Sequence, residues 1–197
     1  MTNQLIVGLT GGIGAGKSIV SKIFKTLGVS VFNSDDEAKL IVNQDKEVVE
    51  SIQEIFGDVY IDGELNTKLL SEKVFKDKKA LKTLNEIIHP KVKERFHRWI
   101  KEHENEKILI KEAAILIETN GYQELDKTIL VIAPVSIRKK RVMRRDGMTS
   151  AAFENRIKSQ LSDTEKIKAA DFIIHNDDEQ LIIPQVLSIY QKLKSLL

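Results

Sequence analysis

Eight consecutive residues constrain this chain more than any other stretch: Gly11-Gly12-Ile13-Gly14-Ala15-Gly16-Lys17-Ser18. They match the pattern G-x-x-x-x-G-K-[ST] without substitution, and that pattern carries weight when a strand precedes it and a helix follows. Both flanks read that way. Gln4 to Leu9 is a short apolar run ending in glycines, as a buried strand would be. Lys17 to Leu27 has helical spacing in Ile19, Val20, Ile23, Phe24 and Leu27, with Gly28 as its stop. Glycines admit positive φ and let successive N–H groups approach phosphate oxygens, and the helix N-terminus adds a partial positive charge. Lys17 can reach β- and γ-phosphates, and the Ser18 hydroxyl can ligate Mg²⁺. Gly12, Ile13, Gly14, Ala15, Gly16, Lys17 and Ser18 are therefore the expected binding residues for the phosphates of ATP, with Ser18 as the metal ligand. A plain glycine-rich turn would require neither the lysine nor the serine. An N-K-x-D segment to read guanine and a D-x-x-G switch are both absent, which argues against a GTPase.

The rest of the chain alternates strands and helices. Val29 to Asn33 reads as a second strand, and Ser34-Asp35-Asp36-Glu37 fits a capping box, serine at the N-cap and glutamate at N3. Residues from about 36 to 104 are expected to be mostly helical, broken between Phe56 and Asn66, where Gly57 and Asp62-Gly63 signal a turn. Strands resume at Lys107–Lys111 and Lys127–Ala133. Helical patterns cover Val135 to Arg145 and roughly Ser150 to Leu161, and Ser162-Asp163-Thr164-Glu165 forms a second capping box. Phe172–His175 is the last strand and Glu179–Leu196 a closing amphipathic helix. Such alternation predicts an α/β fold, a doubly wound parallel five-stranded sheet covered on both faces. The helical stretch after the second strand is too long for a crossover. It reads as an insertion beside the carboxyl ends of the strands, where such sheets bind ligands.

Composition excludes several classes. The 197 residues are 42% hydrophobic and 30% charged, ordinary for a globular protein. No apolar run approaches the roughly 20 residues of a membrane span, and Met1-Thr2-Asn3-Gln4 lacks the basic start of a signal peptide. Without cysteine there is no disulfide framework or thiolate metal site, so a cytoplasmic location is expected. A net charge of +2 is too small to argue for nucleic acid. Its distribution is uneven: Arg138, Lys139, Lys140, Arg141, Arg144 and Arg145 crowd one segment, and Asp35, Asp36 and Glu37 another.

Those two segments supply the candidate chemistry. Asp35 follows the second strand, where a carboxylate can accept a proton from an attacking hydroxyl or hold a water on Mg²⁺. Acids in a first helical turn also complement the dipole, and spacing alone makes Asp36 as good a candidate. Arg138, Arg141 and Arg145 are spaced i, i+3, i+7 on one helix face, and Arg156 follows with Gln160 one turn later. Between them Asp146-Gly147-Met148-Thr149 gives a hinge for a lid. Cations on a closing lid offset the charge that phosphoryl transfer leaves on equatorial oxygens; the plainer alternative is a solvated basic face. Glu112 ends the third strand, where an acid can serve Mg²⁺ through water, and Glu118 is a similar candidate. Val92, Phe96, Trp99 and Ile100 share helical spacing, which favours core packing over nucleotide stacking.

Taken together the motifs resemble the dephospho-CoA kinase family over nearly the whole chain. The resemblance is carried by Gly8-Leu9-Thr10 with the phosphate loop, Phe56-Gly57 with Asp62-Gly63, and Leu84-Asn85 to His89-Pro90. It continues through Ile115-Leu116-Ile117-Glu118, Arg141 to Asp146, Arg156-Ile157 to Gln160, and Asp171 to Asn176. It implies a P-loop kinase core formed by residues 1–35 and 105–197, a helical substrate-binding insertion at about 36–104, and a lid at about 138–165, all within a single kinase domain. It implies that ATP phosphorylates the ribose 3′-hydroxyl of dephospho-CoA, the last step of coenzyme A biosynthesis. Lys17, Asp35, Arg141 and Arg145 would be catalytic; Arg145, Arg156 and Asn176 would join the loop in holding ATP; Asp35, Lys39, His89 and Glu118 would meet the acceptor. Where the family has Asp-x-Asp and then an arginine, this chain has Asn33-Ser34-Asp35 and Lys39. Asp35 matches the second acid, and Lys39 keeps the charge without the bidentate fork of arginine. Thr67 and Ala114 stand where an arginine and a proline are common.

Two other readings make different predictions. A nucleoside monophosphate kinase would phosphorylate a phosphate and need no base. A nucleic-acid-binding ATPase using Arg138 to Arg145 would bind with steep salt dependence. The favoured reading expects small-molecule partners, neither nucleic acid nor membrane, and a monomer or small homo-oligomer.

Overall fold

Strands rich in valine, isoleucine and leucine, joined by amphipathic helices, have one economical arrangement, a parallel sheet buried on both faces. The structure, a computed structural model, describes residues 4–74 and 77–197. Met1-Thr2-Asn3, in the stretch expected not to be a signal peptide, and Phe75-Lys76, within the expected helical stretch, lie outside the described residues. In chain order the elements are β1 (Leu5–Gly11), α1 (Lys17–Thr26), β2 (Ser30–Asn33), α2 (Ser34–Gln44), α3 (Lys46–Phe56), β3 (Tyr60–Ile61), β4 (Glu64–Leu65), α4 (Thr67–Val74) and α5 (Lys78–Glu102). They continue with β5 (Ile108–Glu112), a 3₁₀ turn at Gly121–Glu124, β6 (Lys127–Ile132), α6 (Val135–Asp146), α7 (Ser150–Lys158), α8 (Asp163–Ile167), β7 (Phe172–His175) and α9 (Ile182–Lys194). They form two compact units, one from the residues through Asn33 together with His103–Leu197, the other from Ser34–Glu102.

The first unit is built on a five-stranded sheet in the order β2-β5-β1-β6-β7. Every pairing is parallel, with Val7 opposite Ile110 and Leu9 opposite both Glu112 and Ile129. Val7, Leu9, Ile108, Ile110, Ile129, Val131 and Ile174 alternate onto one face, where they join Val20 and Phe24 of α1 and Val186 and Leu193 of α9. Leu109 and Leu130, one position out of step, are equally buried, as a sheet covered on both sides requires. From β1 the chain skips to the edge strand β2, returns between them as β5, then crosses to the other side as β6. The order therefore reverses at β1, and the loop leaving its carboxyl end occupies the switch point where such sheets bind ligands.

The second unit is helical and closes on Val42, Val48, Ile52, Phe56, Val59, Leu70, Val74 and Leu84. The expected break between Phe56 and Asn66 is a short antiparallel hairpin, β3 with β4, turning at Asp62 and Gly63, both at positive φ. Pro90 lies within α5. The capping box expected at Ser34 is not formed. Here β2 runs directly into α2, so Ser34 is already helical, and its Oγ has no partner among the described residues. Glu37 instead pairs with Arg95 at 3.5 Å. The box at Ser162 is formed: Glu165 N–H donates to Ser162 Oγ (3.2 Å) and Ser162 N–H to Glu165 Oε2 (2.9 Å). Val92, Phe96 and Trp99 are buried, as expected of packing residues. No described helix is long and apolar enough to cross a membrane.

Candidate active site

Between Gly11, the last residue of β1, and Lys17, the first of α1, the backbone takes turns that only glycine accommodates. Gly14 has φ 76° and Gly16, the N-cap of α1, φ 102°. Space is equally short: a Cβ on Gly16 would meet Asn176 Nδ2 at 2.0 Å, and one on Gly14 the Arg138 carbonyl oxygen at 2.7 Å. In the first turn of α1 the Ile19 and Val20 N–H groups donate to the carbonyl of the N-cap Gly16, which leaves the earlier N–H groups of the helix N-terminus, the usual anion-binding position, without a helical acceptor. Lys17 Nζ donates to the Gly11 carbonyl at 2.9 Å, so its charge is folded back across the loop. Ser18 is exposed in the same turn.

Later parts of the chain grip the loop. Asn176 directly follows β7 and is 4% exposed. Its Nδ2 donates to the Ala15 carbonyl (2.7 Å), and its Oδ1 accepts from Arg141 Nη2 (3.1 Å). Arg141 also pairs with Asp178, and its Nη1 is buried without a partner among the described residues. Ile13 N–H donates to Gln160 Oε1 at 3.1 Å. Arg138 Nη2 donates to Asp163 Oδ2 at 3.2 Å. Glu118, expected beside the acceptor, has Oε1 2.8 Å from Nζ of the wholly buried Lys166 and accepts from Leu161 N–H at 3.3 Å. Glu118 Oε2 is buried with no hydrogen-bond partner among the described residues.

The three arginines sharing a helix face do not share an environment. Arg138 and Arg141 turn inward, while Arg145 is exposed and grips its neighbour Asp146 through Nε (2.6 Å) and Nη2 (2.8 Å). That hydrogen bonding holds the Asp146 carboxyl below its ordinary range, with the charges of Arg145 and Arg156 adding to it, and raises the Arg145 guanidinium. Arg156 is itself exposed.

In the helical unit Asp35 is exposed in the first turn of α2. Lys39 pairs with Asp36 one turn back at 2.9 Å, and this hydrogen bond raises the ammonium pKa. His89 lines a concavity of about 710 Å³ with Leu81, Asn85, Pro90 and Lys93.

The oxygen donors suit Mg²⁺ arriving with a nucleotide better than a resident ion. No group of three or more His, Asp or Glu side chains forms a metal cage among the described residues. Mg²⁺ in phosphate-transfer sites takes one or two protein oxygens and fills its shell with phosphate and water. The exposed Ser18 hydroxyl offers one such oxygen. At the end of β5 the buried Glu112 accepts from Ser21 Oγ at 2.6 Å, one turn along α1 from Ser18.

Comparison with known proteins agrees with this architecture. A family model described as dephospho-CoA kinase matches residues 5–181. A dephospho-CoA kinase of Bacteroides fragilis is 40% identical over 192 residues, covering 95% of this chain and 94% of the relative. Among solved structures, a Thermus thermophilus protein superposes with a TM-score of 0.87 at 28% identity, covering 96% of this chain and 97% of that one. Dephospho-CoA kinase from Campylobacter jejuni superposes at 0.65 with 26% identity, covering 97% and 98%.

Proposed function

This chain belongs to the dephospho-CoA kinase family, and from that premise we propose that it transfers the γ-phosphoryl group of ATP to the ribose 3′-hydroxyl of dephospho-CoA by in-line displacement. The observation that carries the reading is the phosphate loop at the carboxyl end of the central strand, its glycines held at positive φ and Lys17 folded across it. Of the backbone N–H groups from Gly12 to Ser18, that of Ile13 is given to Gln160 and that of Ala15 to the Gly12 carbonyl; the others, with the Lys17 ammonium, hold the phosphates. The acceptor oxygen forms a bond to the γ-phosphorus as the bond to the β,γ-bridging oxygen breaks, and Asp35 takes the hydroxyl proton. Arg141, Arg145 and Arg156 offset the charge developing on the transferred group. Mg²⁺, when bound, neutralises phosphate charge; Ser18 would hold it, with Glu112 acting through water.

Lys39, His89 and Glu118 are proposed contacts of the acceptor. Asn176 enters this scheme differently from the direct hold on ATP first expected of it. Its amide is spent on Ala15 and Arg141, so it serves ATP by fixing the loop. With its cysteine-free composition and small-molecule substrates, the enzyme is read as cytoplasmic, a monomer or small homo-oligomer.

The test is phosphorylation of dephospho-CoA by ATP and Mg²⁺, run beside AMP, adenosine and no acceptor. Turnover confined to dephospho-CoA is the expected result. Activity on AMP with none on dephospho-CoA would keep the fold and discard the acceptor.

A further inference from the structure

Gln160 lies between α7 and α8 and takes part in no step described above. Its Oε1 accepts the Ile13 N–H at 3.1 Å, in the half of the phosphate loop that precedes the turn into α1. Arg138 lies against the same half. It is 5% exposed, and its Nη1 is so close to Gly12 that a Cβ there would meet it at 2.0 Å. Arg138 Nη2 reaches Asp163, three residues beyond Gln160. The intervening Leu161 N–H and the buried Lys166 are both tied to Glu118. Residues 160–166 are thus fastened at three further points, and from that anchored segment Gln160 reaches the loop.

Packing alone does not explain this arrangement. Arg138 Nε is buried without a partner among the described residues, and leaving such a donor unmade is costly where an apolar side chain would fill the space without penalty. A buried guanidinium packed close to Gly12 and an amide oxygen accepting from Ile13 N–H support one stretch of loop backbone, and a preset site needs no reorganisation when charge arrives.

We infer that Gln160 is a positioning residue for phosphoryl transfer: it sets the Gly12–Ile13 half of the phosphate loop, with the Arg138–Asp163 pair behind it, so that the terminal phosphate of ATP meets an already formed cradle. The inference rests on the reading of the loop as the ATP site.

Two substitutions separate positioning from mere structure. Gln160→Met keeps the length and removes the acceptor; Gln160→Glu keeps the acceptor and adds a charge that protonation removes. For Gln160→Met, kcat falls about ten- to a hundredfold, while ADP affinity stays within about twofold of wild type and the melting temperature holds. For Gln160→Glu, kcat relative to wild type recovers as pH falls towards the ordinary glutamate pKa of about 4.3, because the protonated carboxyl mimics the amide. An unchanged kcat in the Met variant overturns the inference. So does tighter binding of a non-hydrolysable ATP analogue, which would make Gln160 a plug that nucleotide displaces. A parallel loss of ADP affinity and melting temperature also overturns it, reducing Gln160 to a structural tie. Wild-type enzyme inactive on dephospho-CoA in the same assay would count against the proposed function, since the Met variant's ADP and analogue affinities are read without turnover.

Discussion

The sheet unit and the helical unit treat polar side chains in opposite ways. Among the described residues, seven polar or charged side chains are buried, Thr10, Ser21, Glu112, Thr128, Arg138, Lys166 and Asn176, and all belong to the sheet unit. Several of them end on the phosphate loop or on a neighbour that holds it. Among the described residues of the helical unit the buried side chains are apolar, and the acceptor candidates Asp35, Lys39 and His89 are exposed. Buried polar networks are costly and stiff, so the sheet unit carries its donors already fixed, the condition under which they stabilise developing charge best. The acceptor candidates of the helical unit stay at the surface, where long side chains re-aim at little cost. The enzyme thus reads as a rigid nucleotide cradle with an adaptable acceptor surface.

The comparison is most exposed to failure at Lys17. Lys17→Ala is expected to lower kcat about a thousandfold with the fold intact, because the charge it removes is preset over the loop. If an exposed acceptor residue proved more damaging, the contrast between the units would collapse. Asp35→Asn should lower kcat on the order of a hundredfold and leave ADP binding, followed by calorimetry, unchanged. A matching loss of ADP affinity would move Asp35 from the acceptor to the nucleotide. Asn176→Ala strands the Ala15 carbonyl and one face of Arg141; we expect about 2 kcal/mol lost in urea unfolding, together with weaker ADP binding. A variant as stable as wild type would mean the loop holds its shape unaided.

The smallest effect is expected in acid. Asp146 is held low by its hydrogen bonds to Arg145, Glu154 by Lys139, and Glu165 by Ser162. Because the folded values lie below the ordinary ones, 3.8 for Asp146 and 4.5 for the glutamates, their contribution is complete above about pH 4.5. It is lost as pH falls through the lowered values. Amide exchange in residues 138–167 should therefore quicken on acidification below that point. Exchange there that is indifferent to pH, once corrected for the intrinsic rate, would show that these carboxylate contacts contribute nothing.

What the sequence revealed follows the range over which each signal acts. The phosphate loop is legible because a contiguous pattern specifies both its backbone and its chemistry, and Phe172–His175 is legible because a buried strand between turn signals is short and sharply bounded. The two capping boxes show where local patterns stop sufficing. Ser34 and Ser162 carry the same signal, yet only Ser162 follows a loop that can supply a non-helical N-cap residue. The hairpin at Tyr60–Leu65 escaped because two-residue strands are too short to show a period. The supports of the loop were the least legible. Gln160, Arg138 and Asn176 reach it from at least 120 residues away in sequence, and helical spacing says only which face they share, not what that face meets.

The ion pair between Lys166 and Glu118 gives the enzyme a natural gauge of its own opening. A lysine with no exposed surface cannot react with an amine-directed reagent in the closed state, so its labelling rate reports how often the segment around it comes away. Neighbouring exposed lysines such as Lys168 supply the internal standard. Slower labelling of Lys166 with ATP bound would mean that substrate tightens a clasp already shut; faster labelling would mean that substrate entry pries it open.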